Sequence, residues 1–136
     1  MSVAFAIDTN VAVYAFSKDD RRVVAMELLG QGPCISVQLL NEFANVSRNK
    51  KTWEWPEIEE ALDIILRLSS SSRAVDIGVH ELGKNVAQRY KMGVYDSLII
   101  AAALLDGCEM LYSEDMQHGV VIDGTLTIIN PFLEIA

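Results

Sequence analysis

The chain has 136 residues, 51% of them hydrophobic, and a formal net charge of −8. That length suits one ordinary domain, read here as 1–136, and the apolar share excludes extended disorder. The acidic balance excludes nonspecific nucleic-acid binding by bulk charge, so a polyanionic substrate would need a local basic rim or a bridging metal.

Strand and helix signals alternate along the chain. Residues 3–7 form a short apolar run, the pattern of a buried parallel strand. Residues 10–16 predict a short helix, and 20–29 another that ends at Gly30 and Gly32. Cys34-Ile35 is a minimal strand. Ser36 then supplies an N-cap for a helix to about Asn49, with Leu39, Leu40, Phe43, Ala44 and Val46 on its apolar side. Pro56 stands at a first helical position, followed by Glu57, Glu59 and Glu60, which suit the positive end of a helix dipole. Ile58, Ala61, Leu62, Ile65 and Leu66 carry that helix to the serine run 69–72, which is read as a loop. Residues 74–77 predict the third strand, and 80–92 a helix with Leu82, Val86, Ala87 and Tyr90 on one stripe. Residues 96–106 are apolar almost all round, as in a buried central helix. Residues 110–112 and 127–129 complete the strands before Asn130-Pro131. The expected fold is α/β with a mostly parallel sheet of about five short strands.

The longest apolar stretch, 98–105, stops at Asp106-Gly107, far short of the roughly 20 residues that cross a bilayer. Met1-Ser2 leads straight into the first strand-like run without a basic start and an apolar h-region. A soluble, cytoplasmic protein with no membrane partner is expected. Cys34 and Cys108 form no CxxC and read as core thiols, while His80 and His118 are too far apart for a local zinc motif.

Four acidic residues stand where an apolar run stops or a helix starts. Asp8 closes the first strand, Glu42 interrupts the apolar side of the Ser36 helix, Asp96 precedes the apolar helix, and Asp115 follows 110–114. If the strands are parallel neighbours, their carboxyl ends share the edge where open α/β sheets hold ligands. Each residue alone also fits a bland role: Asp8 and Asp96 as helix caps, Asp115 as a turn residue. Glu42 fits one less well. It lies at the margin of a buried stripe, where an unpaired carboxylate is costly, so Arg48, Lys50 or a metal is expected to reach it. Oxygen-only ligands suit Mg²⁺ or Mn²⁺.

These motifs resemble those of PIN-domain ribonucleases, specifically the VapC-type toxins of type II toxin–antitoxin pairs. The resemblance rests on Ile7-Asp8-Thr9-Asn10, on 35–42 ending in Asn41-Glu42, on Tyr95-Asp96-Ser97 with the apolar run behind it, and on 111–119 with Ser113-Glu114-Asp115. The ending Ile129-Asn130-Pro131-Phe132 is similar to that of many such toxins, and the likeness covers essentially the whole length. It implies a three-layer α/β/α fold, endoribonuclease activity on RNA, a cognate antitoxin and a homodimer. It also implies that Asp8, Glu42, Asp96 and Asp115 bind one or two Mg²⁺ or Mn²⁺ ions, braced by Thr9, Asn10 and Ser113.

Mg²⁺ keeps waters and uses few carboxylates, so Asp8 and Asp96 are the expected direct ligands, with Glu42 and Asp115 holding waters or a second ion. Four coupled carboxylates do not single out a general base. For substrate contact, Arg48, Lys50 and Lys51 precede Trp53 and Trp55, pairing cations for phosphates with rings for unpaired bases. The other reading is a solvated helix end with both tryptophans in the core or a dimer contact. Arg21, Arg22, Arg89 and Lys91 are weaker candidates.

A haloacid dehalogenase-type phosphatase also begins with a strand and Asp but needs a second Asp where Asn10 stands. A phosphorelay receiver lacks its paired acids here. The alternative from another class is a catalytically silent module that keeps the fold to dimerise and bind a partner protein.

Overall fold

A computed structural model describes residues 3–134. The Met1-Ser2 start therefore lies outside the described residues. The chain runs β1 (Phe5–Ile7), α1 (Thr9–Ala15), α2 (Arg22–Gly30), β2 (Cys34–Ser36), α3 (Val37–Asn49) and α4 (Trp55–Leu68). It continues through β3 (Ser71–Arg73), α5 (Ile77–Tyr90), α6 (Val94–Leu105), β4 (Met110–Tyr112), β5 (Val121–Ile122) and β6 (Leu126–Ile129). All strands join one sheet in the order β3-β2-β1-β4-β6-β5, parallel except for the β5–β6 pair.

That order decides where a ligand can sit. From β1 the chain moves outward to β2 and β3, then returns across the sheet to β4 on the other flank of β1. The helices form a three-layer α/β/α arrangement with the sheet, as the general right-handedness of crossovers on its two halves leads one to expect. The carboxyl ends of β1 and β4 thus flank the point where connections diverge, the crevice of a doubly wound sheet.

Helix starts follow side-chain chemistry. Ser36 Oγ accepts from the Leu39 amide at 3.4 Å, and Asp76 Oδ1 from the Val79 amide at 2.9 Å. The core is made of the buried strand residues Phe5, Ile7, Ile35, Leu111, Ile128 with Val11, Leu39, Phe43, Ile58, Ile65 and Ile100 from the helices. Cys34 and Cys108 are free and buried, as expected of core thiols. Among the described residues, no helix is long and apolar enough to cross a membrane.

Several expectations need correction. The third strand is Ser71–Arg73, not 74–77, so the second half of the serine run is strand and only Ser69 and Ser70 stay outside it. It gains its place through backbone pairing of Cys34, Ile35 and Ser36 with Ser71, Ser72 and Arg73. Asp76 then caps α5, which starts three residues earlier than its periodicity indicates. The sheet has six strands because the two-residue β5 adds an antiparallel edge. Asp96 lies within the first turn of α6, whose N-cap is Gly93. Trp55 precedes Pro56 in α4, with Glu54 as N-cap.

Helices α5 and α6 pack closely because Gly83 has no side chain. A Cβ there would stand 2.8 Å from Leu98 Cδ2 and 3.4 Å from Leu98 Cα. Alanine improves intrinsic helix propensity by about 1 kcal/mol, but overpacking costs roughly 1–3 kcal/mol. Gly83→Ala is expected to lower the urea midpoint by a net loss of about 1 kcal/mol. A raised midpoint would show that Leu98 swings aside freely.

Candidate active site

Asp8 follows β1 and caps α1, so the central strand and a helix N-terminus together fix its position. Only 4% of it is exposed. Its Oδ1 accepts from the Thr9 amide at 2.7 Å, and its Oδ2 from Ser113 Oγ at 2.7 Å and Asn10 Nδ2 at 3.3 Å. Ser113 lies just past β4, beside β1 in the sheet, which explains how residues 105 positions apart meet. Asn10 Nδ2 also donates to Asp115 Oδ2 at 3.1 Å, and Asn10 Oδ1 accepts from the Glu114 amide at 3.2 Å. One asparagine therefore ties the β1 carboxylate to the loop after β4.

A cavity of about 290 Å³ opens here, lined by Asp8, Glu42, Asp96 and Asp115 together with Thr9, Asn10, Val13, Tyr14, Val46 and Lys50. All four acidic residues singled out in the sequence share it. Glu42 enters from the middle of α3, and Asp96 from the first turn of α6. The neighbour of Glu42 is not Arg48 or Lys50: Gln38 Nε2, one turn earlier, donates to Glu42 Oε2 at 3.1 Å. The i,i+4 spacing on α3 is the signal that finds Gln38.

The electrostatics carry the strain of gathering like charges. Burial raises the Asp8 carboxyl from 3.8 to about 6. Hydrogen bonds from Ser113 and Thr9 oppose that rise, while Asp96 and Glu42 add to it. Burial also raises Glu42, with Gln38 opposing and Asp96 adding. Asp96 is raised by burial and then by Asp115. Asp96 is the member whose charge touches most of the others. The amino ends of α1 and α6 present positive dipole ends to this group.

The donors suit a hard divalent cation in kind. They are oxygens, and the buried Thr9 hydroxyl on the cleft wall has no hydrogen-bond partner. Thr9 braces Asp8 through its amide, leaving that hydroxyl available. Among the described residues, however, no three His, Cys, Asp or Glu side chains stand close enough to hold an ion as they are. Glu42 is engaged by Gln38 instead.

The basic candidates separate. Lys50 lines the acidic cleft, whereas Lys51 lines a neighbouring groove of about 460 Å³ with Lys18, Phe16 and Trp53. Arg48 donates to the Trp53 carbonyl at 3.1 Å and lies 5.6 Å from the Trp55 ring centroid. Trp53 is half-buried against Phe43, and Trp55 is exposed. Arg89 pairs with Asp123, Lys91 closes α5 in a left-handed conformation, and Arg22 is exposed at the start of α2. Arg21 pairs with Glu114 and Asp19. Tyr14 also lines the cleft unforeseen, although it follows Asn10 by one helical turn.

A parallel sheet whose central strand ends open into a cleft of four carboxylates defines an acidic-site α/β domain. The PIN domain family profile matches residues 5–121, and the chain belongs to that family. Similar solved structures include a chain of a toxin–antitoxin complex from Klebsiella pneumoniae, 23% identical over 94% of this chain and 97% of that one, with a TM-score of 0.69. Another is VapBC2 from Rickettsia felis bound to a promoter DNA fragment, at 22% identity, 93% and 99% coverage and a TM-score of 0.66. A third is VapC20 from Mycobacterium tuberculosis, described as a Sarcin-Ricin loop cleaving toxin, at 17% identity, 82% and 92% coverage and a TM-score of 0.65. At these identities the likeness is one of fold. No curated protein matches the chain in sequence.

Proposed function

We propose that this PIN domain, extending over 1–136, is a metal-dependent endoribonuclease and the cytoplasmic toxin of a toxin–antitoxin pair, hydrolysing RNA phosphodiester bonds. The observation that carries the reading is the shared cleft of Asp8, Glu42, Asp96 and Asp115 at the β1–β4 crevice. The descriptions of neighbouring structures as a toxin–antitoxin complex, as VapBC2 and as a Sarcin-Ricin loop cleaving toxin support it.

A phosphodiester is anionic, so a cleft lined by carboxylates repels it until their charge is compensated. A Mg²⁺ or Mn²⁺ ion, one or two in number, would supply that charge, polarise the phosphate and acidify a water. Asp8 and Asp96 are the residues that would hold it, the first fixed by three hydrogen-bond donors and the second at a helix start. Glu42, on a longer side chain, and Asp115, held by Asn10, complete the set. Lys50 is the cation among the lining residues, which supports a role for it in meeting an RNA phosphate. Lys51, on the neighbouring groove, and Arg48, engaged with the Trp53 carbonyl, lie away from the acidic cleft and are the weaker RNA contacts. The cognate antitoxin is the protein partner, and the toxin acts as a homodimer.

The second reading is a silent dimerisation and partner-binding module. What favours it is that no three His, Cys, Asp or Glu side chains stand ready to hold an ion among the described residues. Mixed RNAs incubated with Mn²⁺ or Mg²⁺ separate the two. Cleavage is expected to stop with EDTA and to fall on the order of 100-fold or more in Asp96→Asn, the scale of removing one charge-stabilising group. Equal cleavage by the variant would expose a contaminating nuclease, and no cleavage of any RNA would favour the silent module.

A further inference from the structure

Glu114 stands between Ser113 and Asp115, yet it is not among the residues lining the cleft. Its Oε1 accepts from the Tyr14 hydroxyl at 2.6 Å, and its Oε2 from Arg21 Nε at 2.6 Å. Arg21 Nη1 donates to Asp19 Oδ1 at 3.1 Å, and its guanidinium carbon lies 4.9 Å from the Tyr14 ring centroid. Tyr14 packs edge-on against Phe132, with centroids 5.3 Å apart, which fixes the ring from the other side. Burial, followed by Glu114, pushes the Tyr14 hydroxyl up to about 12, so it stays a donor at neutral pH.

Three consecutive residues after β4 are thus held from α1 and the start of α2. Ser113 is tied to Asp8, Glu114 to Tyr14 and Arg21, and Asp115 to Asn10. The arrangement has two effects. One is electrostatic, the pairing of a fifth carboxylate beside four that already repel; the other is positional, the anchoring of the loop that carries Asp115. Partners behind a metal ligand set affinity by orienting it.

We propose that the Tyr14–Glu114–Arg21 clamp sets the affinity of the acidic cleft for a divalent cation by fixing Asp115, an inference resting on the metal-dependent reading above. Tyr14 and Arg21 are positioning residues: they act through Glu114 and the loop, and their own atoms need not touch the ion. The charge of a released Glu114 would by itself attract a cation, so weaker binding in the variants reads the lost positioning of Asp115 and not a change of charge.

The test is Mn²⁺ binding to the purified full chain, read by calorimetry and by electron paramagnetic resonance of free Mn²⁺. The wild type is expected to bind with a saturating isotherm. Tyr14→Phe, which keeps the ring and its contact with Phe132, is expected to weaken binding about 10-fold, the low end for an outer-shell partner. Arg21→Gln should weaken it at least as much, and Arg21→Lys should regain part of the loss. In a Glu114→Gln background, Tyr14→Phe should cost less than it does alone. If folded variants bind Mn²⁺ with wild-type affinity and only melt earlier, the clamp is a structural staple and the inference is overturned. If the wild type itself shows no saturable binding, the metal-dependent reading fails and takes the clamp with it.

Discussion

Asp8→Asn is expected to flatten the dependence of metal-free stability on pH between about 4 and 7. The Asp8 carboxyl is raised from 3.8 to about 6, chiefly by burial, in spite of the hydrogen bonds from Ser113 and Thr9. A folded-state value above the unfolded one means that the native protein holds this proton more tightly. The resulting stabilisation is fully present below about pH 3.8 and is lost as pH rises through about 6. The displacement corresponds to about 3 kcal/mol, a large share of the roughly 5–15 kcal/mol that holds a domain folded. Glu42 and Asp96 are raised for the same cause and add in the same direction. Urea denaturation in chelator at pH 4.5 and 7.5 measures it. The wild type should lose stability toward the higher pH, and the asparagine variant should lose much less. Equal slopes for the two proteins would show that Asp8 titrates as an ordinary surface carboxyl.

Millimolar Mn²⁺ at neutral pH is expected to act oppositely and raise the melting temperature by about 5–10 °C. A ligand that binds only the native state contributes about 2.7 kcal/mol at a hundredfold excess over its Kd, and each kcal/mol moves the midpoint by a few degrees in a chain of this size. The gain should shrink below pH 6, where Asp8 takes up its proton and competes with the ion. Asp115→Asn should blunt it, because the Asn10 bridge then holds a neutral amide. Scanning calorimetry with Mn²⁺ and with chelator decides the matter. Superimposable wild-type curves would speak against a specific cation site.

The acidic quartet was legible because each member sits beside a strong local signal: a strand end, a helix start or an apolar stripe. Parallel pairing then brings Asp8 and Ser113 together without any further information. The misplaced third strand has a specific cause. Val75 and Ile77 have strand-like side chains, but both are exposed, one in the link after β3 and one opening α5. Ser71–Arg73 lies at the sheet edge, where backbone pairing suffices and side-chain propensity says little. Two-residue β5 is too short to show alternation. The Tyr14–Glu114–Arg21 contacts join residues 93 and 100 positions apart, and nothing in local spacing points to them. Gln38 stands one helical turn before Glu42, so the i,i+4 rule alone reaches it.

The two rims of the sheet bear on how this protein can meet other chains. One rim is the three-residue β3, polar throughout, whose Arg73 is engaged with Asp106 at 2.7 Å. The other is β5, only two residues long. Neither offers the long, flat, apolar ladder that an incoming strand requires. Recruitment by strand addition is therefore disfavoured at both ends. Side chains on helices and loops are then the expected contacts for any partner, and a point substitution there would tune specificity without disturbing the hydrogen-bonded scaffold beneath.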